Sequence, residues 1–326
     1  MRRREGLTKK HREERLGKVN INSNGESMKV IDYIDSRNIV VEFQDKEKVN
    51  TTWIKFKNGK VRNPHVSDRL WKIKLNNQGC PMKIIEYINY KDMTIMFLDD
   101  YRYTVKTTWD TFEKGSVWNP YWKTLYGVAA IGSKYPNKIE GKITKESDVW
   151  RGIIKRCFSK DKEEKIPAYK DVTCCDEWLL FENFYEWIHS QENFDKWLHG
   201  DGWAIDKDIL VKGNKVYSPE TCCLVPKNVN NLFIKQKAAR GDLPIGVYKH
   251  HKKEGMFSTN YIYGKKINRA KTTTASYPTP EDAFYFGYKP AKEDYIKRVA
   301  QEEYKKGNIT EKCYNAMMNY QVEITD

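Results

Sequence analysis

The sequence has no long hydrophobic run, no signal-peptide core and no Cys-x-x-Cys pair. No apolar stretch in the 326 residues approaches the roughly 20 residues that a membrane-spanning helix needs, and residues 1–20 lack the apolar centre of a secretory signal. These absences favour a soluble, cytoplasmic protein. The seven cysteines are an odd set without the density of a disulfide scaffold, as expected in a reducing compartment.

Acidic residues are also in deficit. Against 58 Lys and Arg stand 44 Asp and Glu, which gives a formal net charge of +14. Aromatic residues make up 13% of the chain, so large cores are available within the two or three domains that this length allows. A basic balance with many aromatic side chains indicates a nucleic-acid partner, although RNA or an acidic protein would satisfy the charge equally well.

The first 20 residues are strongly basic, with eight Lys or Arg against three Glu. Few apolar residues are present to hold them on a core, so we predict a flexible basic arm at residues 1–20. Arg2, Arg3 and Arg4 are its candidate DNA contacts, because such arms bind phosphates without reading sequence. A solvated terminus without a role is the alternative.

An internal duplication follows the arm. Five residue pairs recur 54 positions apart: Gly25/Gly79, Met28/Met82, Tyr33/Tyr87, Phe43/Phe97 and Asp45/Asp99. Seven more recur 56 positions apart: Thr51/Thr107, Trp53/Trp109, Phe56/Phe112, Gly59/Gly115, Val61/Val117, Asn63/Asn119 and Pro64/Pro120. We therefore predict one β repeat at residues 21–68 and a second at 75–125.

Each repeat is predicted to contain two short strands and a Trp-bearing third segment that ends in a Gly turn and Asn-Pro. Because three such strands enclose little core, we expect the copies to pack on each other or on a later domain. Trp53 and Trp109 are either core residues or stacking platforms for bases. The first copy is the better DNA candidate because its third segment carries Lys55, Lys57, Lys60 and Arg62.

Residues 126–146 are rich in Gly, Lys and Ser and have no periodicity, which predicts a linker. Two amphipathic helices are predicted next, one capped by Asp148 and one capped by Asp176. The second is apolar around most of its circumference, so it should be a central core helix.

The stretch from Trp203 to Phe233 predicts a ββα unit. Residues 203–210 alternate apolar and charged residues, as in a half-buried strand, and Lys212-Gly213-Asn214 supplies a turn. Residues 221–225 predict a second strand, and Pro226 is well placed to begin a helix.

This order of residues resembles the HNH nuclease motif, most closely a phage branch of that family, over roughly residues 148–235. The resemblance implies that Asp206 is the metal-binding carboxylate and that Asn230 is the helix ligand. Lys207 stands at the position of the family's general-base histidine, and Thr221 stands at that of its bracing asparagine. An HNH-like domain is thus expected at residues 147–240.

The chemistry leaves two functions open for this domain. A one-metal nuclease needs oxygen ligands around a hard cation and a base that activates water, and Asp206, Asp208 and the Asn230 amide can hold magnesium or manganese. Asp206 and Lys207 are the candidate catalytic residues. A lysine acts as a base only if its pKa falls, whereas a carboxylate on each side favours its charged form. If Lys207 stays charged, the fold serves only to bind DNA, unless His189 or His199 supplies the base for cleavage.

Two adjacent cysteine pairs, Cys174-Cys175 and Cys222-Cys223, raise the question of zinc. Neighbouring residues on a strand point to opposite faces, so each pair offers one ligand to a shared site. A structural zinc site made of Cys157, Cys174 and Cys222 stays open beside the alternative of buried neutral thiols.

Residues 235–271 are the most basic stretch, with ten Lys or Arg against two acidic residues. They predict a β-ribbon, and Thr279-Pro280 predicts the start of a helix, which Pro290 should interrupt. The layout of residues 241–326 resembles the APETALA-type DNA-binding domain, which reads the major groove with its sheet. The resemblance implies DNA contacts for Lys249, His250, Lys252, Lys253, Lys265, Lys266 and Arg269.

We therefore expect an α+β protein with two small β repeats, an HNH-like ββα domain with flanking helices, and a C-terminal domain of a β-sheet plus a helix. The expected function is a phage-type HNH-like endonuclease that cleaves double-stranded DNA with a divalent metal. The alternatives are a catalytically inactive DNA-binding or regulatory protein, and a phage protein that inhibits a host factor. The β repeats are the candidate surface for a host or phage protein partner.

Overall fold

A computed structural model describes residues 10–64, 69–159, 171–234, 241–259 and 275–326. The chain divides into two compact units, Met1–Thr124 and Leu125–Asp326. Helices and several small, mostly antiparallel sheets occur in separate segments, so the predicted α+β class is confirmed. No helix in these ranges combines the length and the hydropathy needed to cross a bilayer.

The first unit contains the two repeats, and each is a four-stranded antiparallel sheet followed by one short helix. The first consists of β1 Val19–Ile21, β2 Ser27–Asp35, β3 Asn38–Phe43, β4 Lys48–Thr51 and α1 Trp53–Lys57. The second consists of β5 Ile73–Leu75, β6 Pro81–Asn89, β7 Asp92–Phe97, β8 Thr104–Thr107 and α2 Trp109–Glu113. The strands pair in chain order in both sheets. The predicted third segment is thus a strand and a helix.

The same local chemistry builds both copies. Alternate residues of β2 and β6 point inward, and Met28 and Met82 are fully buried. The hydroxyl of Thr52 accepts the N–H of Lys55, which caps α1, and Thr108 caps α2 in the same way. Each helix then places one phenylalanine, Phe56 or Phe112, on the inner face of its sheet.

The duplication begins earlier than the sequence predicts. The N–H of Gly17 donates to the carbonyl of Val30 at 2.8 Å, and 54 residues later the N–H of Trp71 donates to that of Ile84 at 2.9 Å. Residues 10–15 are helical, and Arg15 and Arg69 occupy equivalent positions. Residues 15–20 of the predicted flexible arm are therefore the start of the first repeat, while Arg2, Arg3 and Arg4 lie outside the described residues.

The first of two cores in the second unit is built around aromatic side chains. Its helices are α3 Lys145–Phe158, the 3₁₀ helix Asp176–Leu179, α4 Phe181–His189 and α5 Phe194–His199. Trp150, Trp178, Phe181 and Phe184 are completely buried. Helix α4 packs on this core through Phe181, Phe184 and Ile188 and leaves Asn183, Glu186 and His189 exposed, so it is amphipathic, whereas the sequence predicts a helix that is apolar around most of its circumference.

Both predicted helix caps are wrong. Helix α3 begins at Lys145, and the hydroxyl of Thr144 caps it by accepting the N–H of Ser147. The segment that begins at Asp176 is a single 3₁₀ turn, because Leu180 has extended backbone angles. The residues on either side of Leu180 bond to Ala130 instead of continuing a helix. The carbonyl of Leu179 accepts the Ala130 N–H, and the N–H of Phe181 donates to the Ala130 carbonyl.

Residues 126–146 belong to this second unit and pack on its core, which differs from the predicted linker. Ala129 and Ala130 are buried in them, and the segment also forms the small hairpin β9 Lys138–Ile139 and β10 Lys142–Ile143. Gly132 has a φ of +82°, and a Cβ there would lie 2.3 Å from the Glu182 carboxyl group. Gly132 therefore lets this segment pack closely against Glu182 of α4. The Gly-rich composition reflects this close packing and not a linker.

A second apolar core holds the C-terminal part together. It contains β15 Val247–Lys249, β16 Phe257–Thr259, α7 Pro280–Asp282, the π-helical turn Ala283–Tyr288, α8 Lys289–Lys305 and α9 Glu311–Met318. The Thr279 hydroxyl accepts the Asp282 N–H at 3.0 Å, which confirms the predicted cap. Pro290 lies in the first turn of α8, directly after the π turn, and does not break the helix, because a proline needs no N–H partner there.

Candidate functional site in the ββα unit

The predicted order of two strands and a helix is present. Strand β12 (Trp203–Asp206) pairs antiparallel with β14 (Cys223–Pro226), and α6 (Lys227–Asn230) follows directly and continues into the 3₁₀ turn Asn231–Phe233. A further strand, β13 (Val216–Tyr217), pairs in parallel with β11 (Thr173–Cys174). Helix α6 packs on both β12 and β14.

Asp206 ends the first strand four residues earlier than predicted. Its Oδ1 accepts the N–H of Asp208 at 2.7 Å and the N–H of Ile209 at 2.8 Å, which turns the chain away from the strand direction. The side chain is 8% exposed, and burial raises the pKa of its carboxyl group against the lowering effect of those two hydrogen bonds. Asp206 therefore organises the turn from which the next residues project.

The long loop between the strands is braced by Asn214. Its Nδ2 donates to the carbonyls of Lys207 at 2.8 Å and Val216 at 2.6 Å, and its Oδ1 accepts the Val216 N–H at 3.1 Å. The hydroxyl of Thr221 adds one bond to the Val216 carbonyl. Asn214 thus holds this loop, although the sequence indicates it only as part of a turn. The sequence signal for this role is the Gly213-Asn214 pair, since an Asn side chain in a turn often bonds to nearby backbone groups.

Lys207 is buried with a complete set of acceptors. Its Nζ lies 2.8 Å from both carboxylate oxygens of Asp208 and 2.8 Å from the carbonyl oxygen of Asn214, and the Tyr217 ring centre is 5.8 Å away. The residue is 8% exposed. An ammonium group has three donors, and all of them are used here. This arrangement suits a cation and offers no lone pair for accepting a proton.

The predicted metal ligands fit a divalent cation poorly as they are arranged. Both oxygens of Asp208 accept the Lys207 ammonium group, so a cation at Asp208 would have to displace a like charge. Asp206 already uses one oxygen for two backbone bonds, and Asn230 is the remaining predicted ligand. Within the described part of the chain, no three His, Cys, Asp or Glu side chains converge as a metal site.

The two histidines considered as substitute bases have different surroundings. His189 Nε2 lies 3.1 Å from the Glu146 carboxylate, and its ring stacks against Tyr185 and Phe194 with centroid separations of 3.9 Å each. His189 is nevertheless exposed at the end of α4, and its ring covers the edge of the aromatic cluster. His199 is exposed at the end of α5.

The three candidate zinc cysteines lie in one apolar cluster. Cys157 and Cys174 are hydrogen-bonded, and this bond together with burial raises the pKa of the Cys174 thiol. Burial raises the pKa of Cys222 to about 12. Cys223, the first residue of β14, lies in the second core, where its thiol is hydrogen-bonded to that of Cys313.

The predicted basic hairpin is formed by β15 and β16, and Lys249, Lys252 and Lys253 are exposed on it. His250 has a structural role, because its Nδ1 accepts the N–H groups of Lys252 at 3.1 Å and Lys253 at 3.2 Å. At the base of the hairpin, Gly246 has a φ of +72°, and a Cβ there would lie 2.0 Å from the Tyr288 ring. Lys265, Lys266 and Arg269 lie outside the described residues.

The features that bear on function are therefore a ββα unit whose central lysine is enclosed, and an exposed basic hairpin in the same unit of the chain. Comparisons with protein-family models, with curated proteins and with solved structures find no match to this chain.

Proposed function

We propose that this protein binds double-stranded DNA through its ββα unit and the basic hairpin, and that the Asp206-Lys207 site does not cleave it. The observation that carries this proposal is the enclosure of the Lys207 ammonium group by Asp208 and Asn214. Hydrolysis of a phosphodiester needs a group that takes a proton from water. Lys207 occupies the position of that group and holds its protons in three hydrogen bonds, so the DNA-binding alternative is favoured over the endonuclease.

The charge distribution supports binding. The chain carries a net charge of +14, and the hairpin presents lysines that are free to reach phosphates. Such contacts release counterions, so binding weakens steeply as salt rises. Base contacts from the same hairpin would add sequence preference, which is the role that the APETALA-type resemblance implies for it.

The decisive test combines cleavage and binding. Supercoiled plasmid and linear duplex are incubated with the wild-type protein, Asp206→Ala and Lys207→Ala in magnesium or manganese, and a gel shift is run in calcium. We expect the wild type to shift DNA and to leave the plasmid supercoiled under every metal. Metal-dependent nicking by the wild type that disappears in Asp206→Ala would overturn the proposal and establish an endonuclease.

A matched pair of variants tests the role of the hairpin. Lys249→Ala with Lys252→Ala removes two charges from the β15–β16 hairpin, and Lys138→Ala with Lys142→Ala removes two from the β9–β10 hairpin, where both lysines are also exposed. The first pair should weaken binding and lower the salt dependence by about one unit of slope per lost phosphate contact. Equal losses from the two pairs would mean that total charge, and not this hairpin, governs binding.

A further inference from the structure

The two repeats are joined by a buried ion pair. Arg69, at the start of the second repeat, places its Nη2 2.8 Å from the Asp45 carboxylate of the first repeat, and these side chains are 9% and 3% exposed. Arg69 also donates to the Tyr87 hydroxyl, and its guanidinium lies 4.0 Å from the centre of the Trp109 ring. On the other side, Asn63 Nδ2 holds the same Asp45 oxygen at 2.9 Å. We call this contact the joint.

The first repeat has its own arginine, Arg15, at the position equivalent to Arg69 of the joint. Arg15 donates to the Tyr33 hydroxyl at 2.9 Å, and its guanidinium lies 4.4 Å from the centre of the Trp53 ring. Among the described residues, Arg15 forms no ion pair. The residue beside it, Leu16, is 45% exposed, whereas the equivalent Leu70 is partly buried against the core of its repeat.

The second repeat carries the acidic half. Asn119 Nδ2 donates to Asp99 Oδ2 at 2.6 Å, and the N–H of Arg102 donates to Asp99 Oδ1 at 3.0 Å. This repeats the setting of Asp45, whose Oδ1 accepts the N–H of Glu47. Asp99 has no Lys or Arg ion-pair partner within the described ranges. One chain therefore has a complete joint in its middle and one unmatched half at each end of the pair of repeats.

We propose that the Arg15 half of one copy binds the Asp99 half of a second copy, so that the protein associates head to tail. The two halves lie on different surfaces and repeat the internal joint, which makes the contact heterologous; such contacts extend into chains or close into rings. The chemistry is already present within the molecule, since Arg69 binds Asp45 in an equivalent aromatic setting.

The contact between copies is weaker than the internal joint for two reasons. Asn89 Nδ2 donates to the Asn24 carbonyl across the joint at 3.3 Å, whereas Asp35 stands at the equivalent position of the first repeat and has no amide to donate. The internal halves also have the advantage of a short covalent connection, which gives a high effective concentration. Association is therefore expected to rise with protein concentration and to fall with salt.

Sedimentation velocity of the full-length, nucleic-acid-free protein over a wide concentration range at low salt tests this proposal. The average mass of the wild type should rise with concentration, while R15E and D99R should each remain monomeric. An equimolar mixture of R15E and D99R should associate again, because each variant supplies the charge that the other needs at both ends. This reciprocal rescue is not expected from a general loss of folding or charge.

K138E is the control, because Lys138 is exposed in β9 of the second unit and the charge change is the same. It should associate as the wild type does, and far-UV circular dichroism should show all variants folded. A wild type that is monomeric at every concentration overturns the proposal, as do a mixture of R15E and D99R that stays monomeric and an R15E that associates normally. Association only after DNA is added would also overturn it and would assign Arg15 to phosphate.

Discussion

The two β repeats have the same strands, the same caps and the same aromatic residues, yet their buried polar groups differ. In the second repeat, Arg69 stacks on Trp109 and forms a buried ion pair with Asp45. In the first repeat, the equivalent Arg15 is half-exposed. The first repeat buries Glu26 against Asn22 and Asn63, and the second has Cys80 at that position. The two repeats thus share a fold because they share an apolar pattern. A few polar residues determine which buried polar contacts each repeat makes.

The largest effect should come from applying one substitution to both arginines. Arg69→Met leaves Asp45 buried without its cation, and breaking a buried pair from one side costs about 3–5 kcal/mol of unfolding free energy. Arg15→Met removes a half-exposed group and should cost no more than about 1 kcal/mol. Urea unfolding measures both values, and hydrogen exchange in β6 and β7 assigns the loss to the first unit.

Equal losses from the two arginine variants would break the comparison. They would mean that the stacking on tryptophan, which both arginines share, carries the stability, and that the ion pair with Asp45 adds nothing to it. Asp45→Asn provides a second measurement, because it removes the carboxylate and keeps a hydrogen-bonding group of the same shape. It should destabilise the first unit, since Arg69 then loses its counter-charge.

Much of this fold follows from the sequence because apolar spacing carries it. The ββα order and the Thr279 cap depend on residues that are close together in the chain, and the duplication shows as identical residues at nearly constant offsets. The sequence prediction begins the first repeat at residue 21 because Arg15, Leu16 and Lys18 lie in a charged run that resembles a disordered arm. The backbone pairing shows that they and their matches, Arg69, Leu70 and Lys72, belong to the repeats.

The chemistry of the candidate site was less predictable. A strand pattern places Asp206, Lys207 and Asp208 on alternating faces, and that geometry would keep Lys207 apart from its neighbours. The chain instead turns at Asp206, which lets the ammonium group reach the adjacent Asp208 and the carbonyl of Asn214. Bonds from side chains to the backbone of a loop leave no periodic signal. The Gly213-Asn214 pair indicates a local bond to the backbone, but its partners and the enclosed lysine could be seen only in three dimensions.

A smaller effect is expected from pH, through the difference between Glu26 and Cys80. Burial raises the pKa of Glu26 above its ordinary value of 4.5, against the bonds from Asn22 and Asn63. The folded protein therefore holds this proton more tightly than the unfolded chain does. Its contribution to stability is fully present below pH 4.5 and is lost as the pH rises through the raised pKa.

Replacing Glu26 by the residue that the other repeat uses tests this sign. The stability of Glu26→Cys relative to the wild type should increase as the pH is raised from 4.5 towards neutrality, in urea titrations at several pH values. The exposed Glu14→Cys should show no such trend. A relative stability of Glu26→Cys that falls over the same range would contradict the assignment of a buried, proton-retaining carboxyl group.

The smallest effect concerns the outer charges of the repeats, which could add phosphate contacts to the proposed DNA binding by the ββα unit and the basic hairpin. Glu113 in α2 pairs with Lys72 and Lys74 at 3.0 and 3.6 Å, whereas the equivalent residue in α1 is the exposed Lys57. The second repeat thus neutralises its own lysines, and the first leaves them available for phosphate.

Lys57→Glu should therefore weaken DNA binding and reduce the salt slope by about one if Lys57 makes one phosphate contact, with at most about 1 kcal/mol of change in stability. Glu113→Lys should strengthen binding by less if the first repeat, and not the second, contacts phosphate. Combining the two substitutions restores the net charge and exchanges the lysine of α1 with the glutamate of α2. If position matters, fluorescence anisotropy titrations will show the double variant binding more weakly than the wild type; equal affinities would mean that DNA responds to the total charge and does not distinguish the repeats.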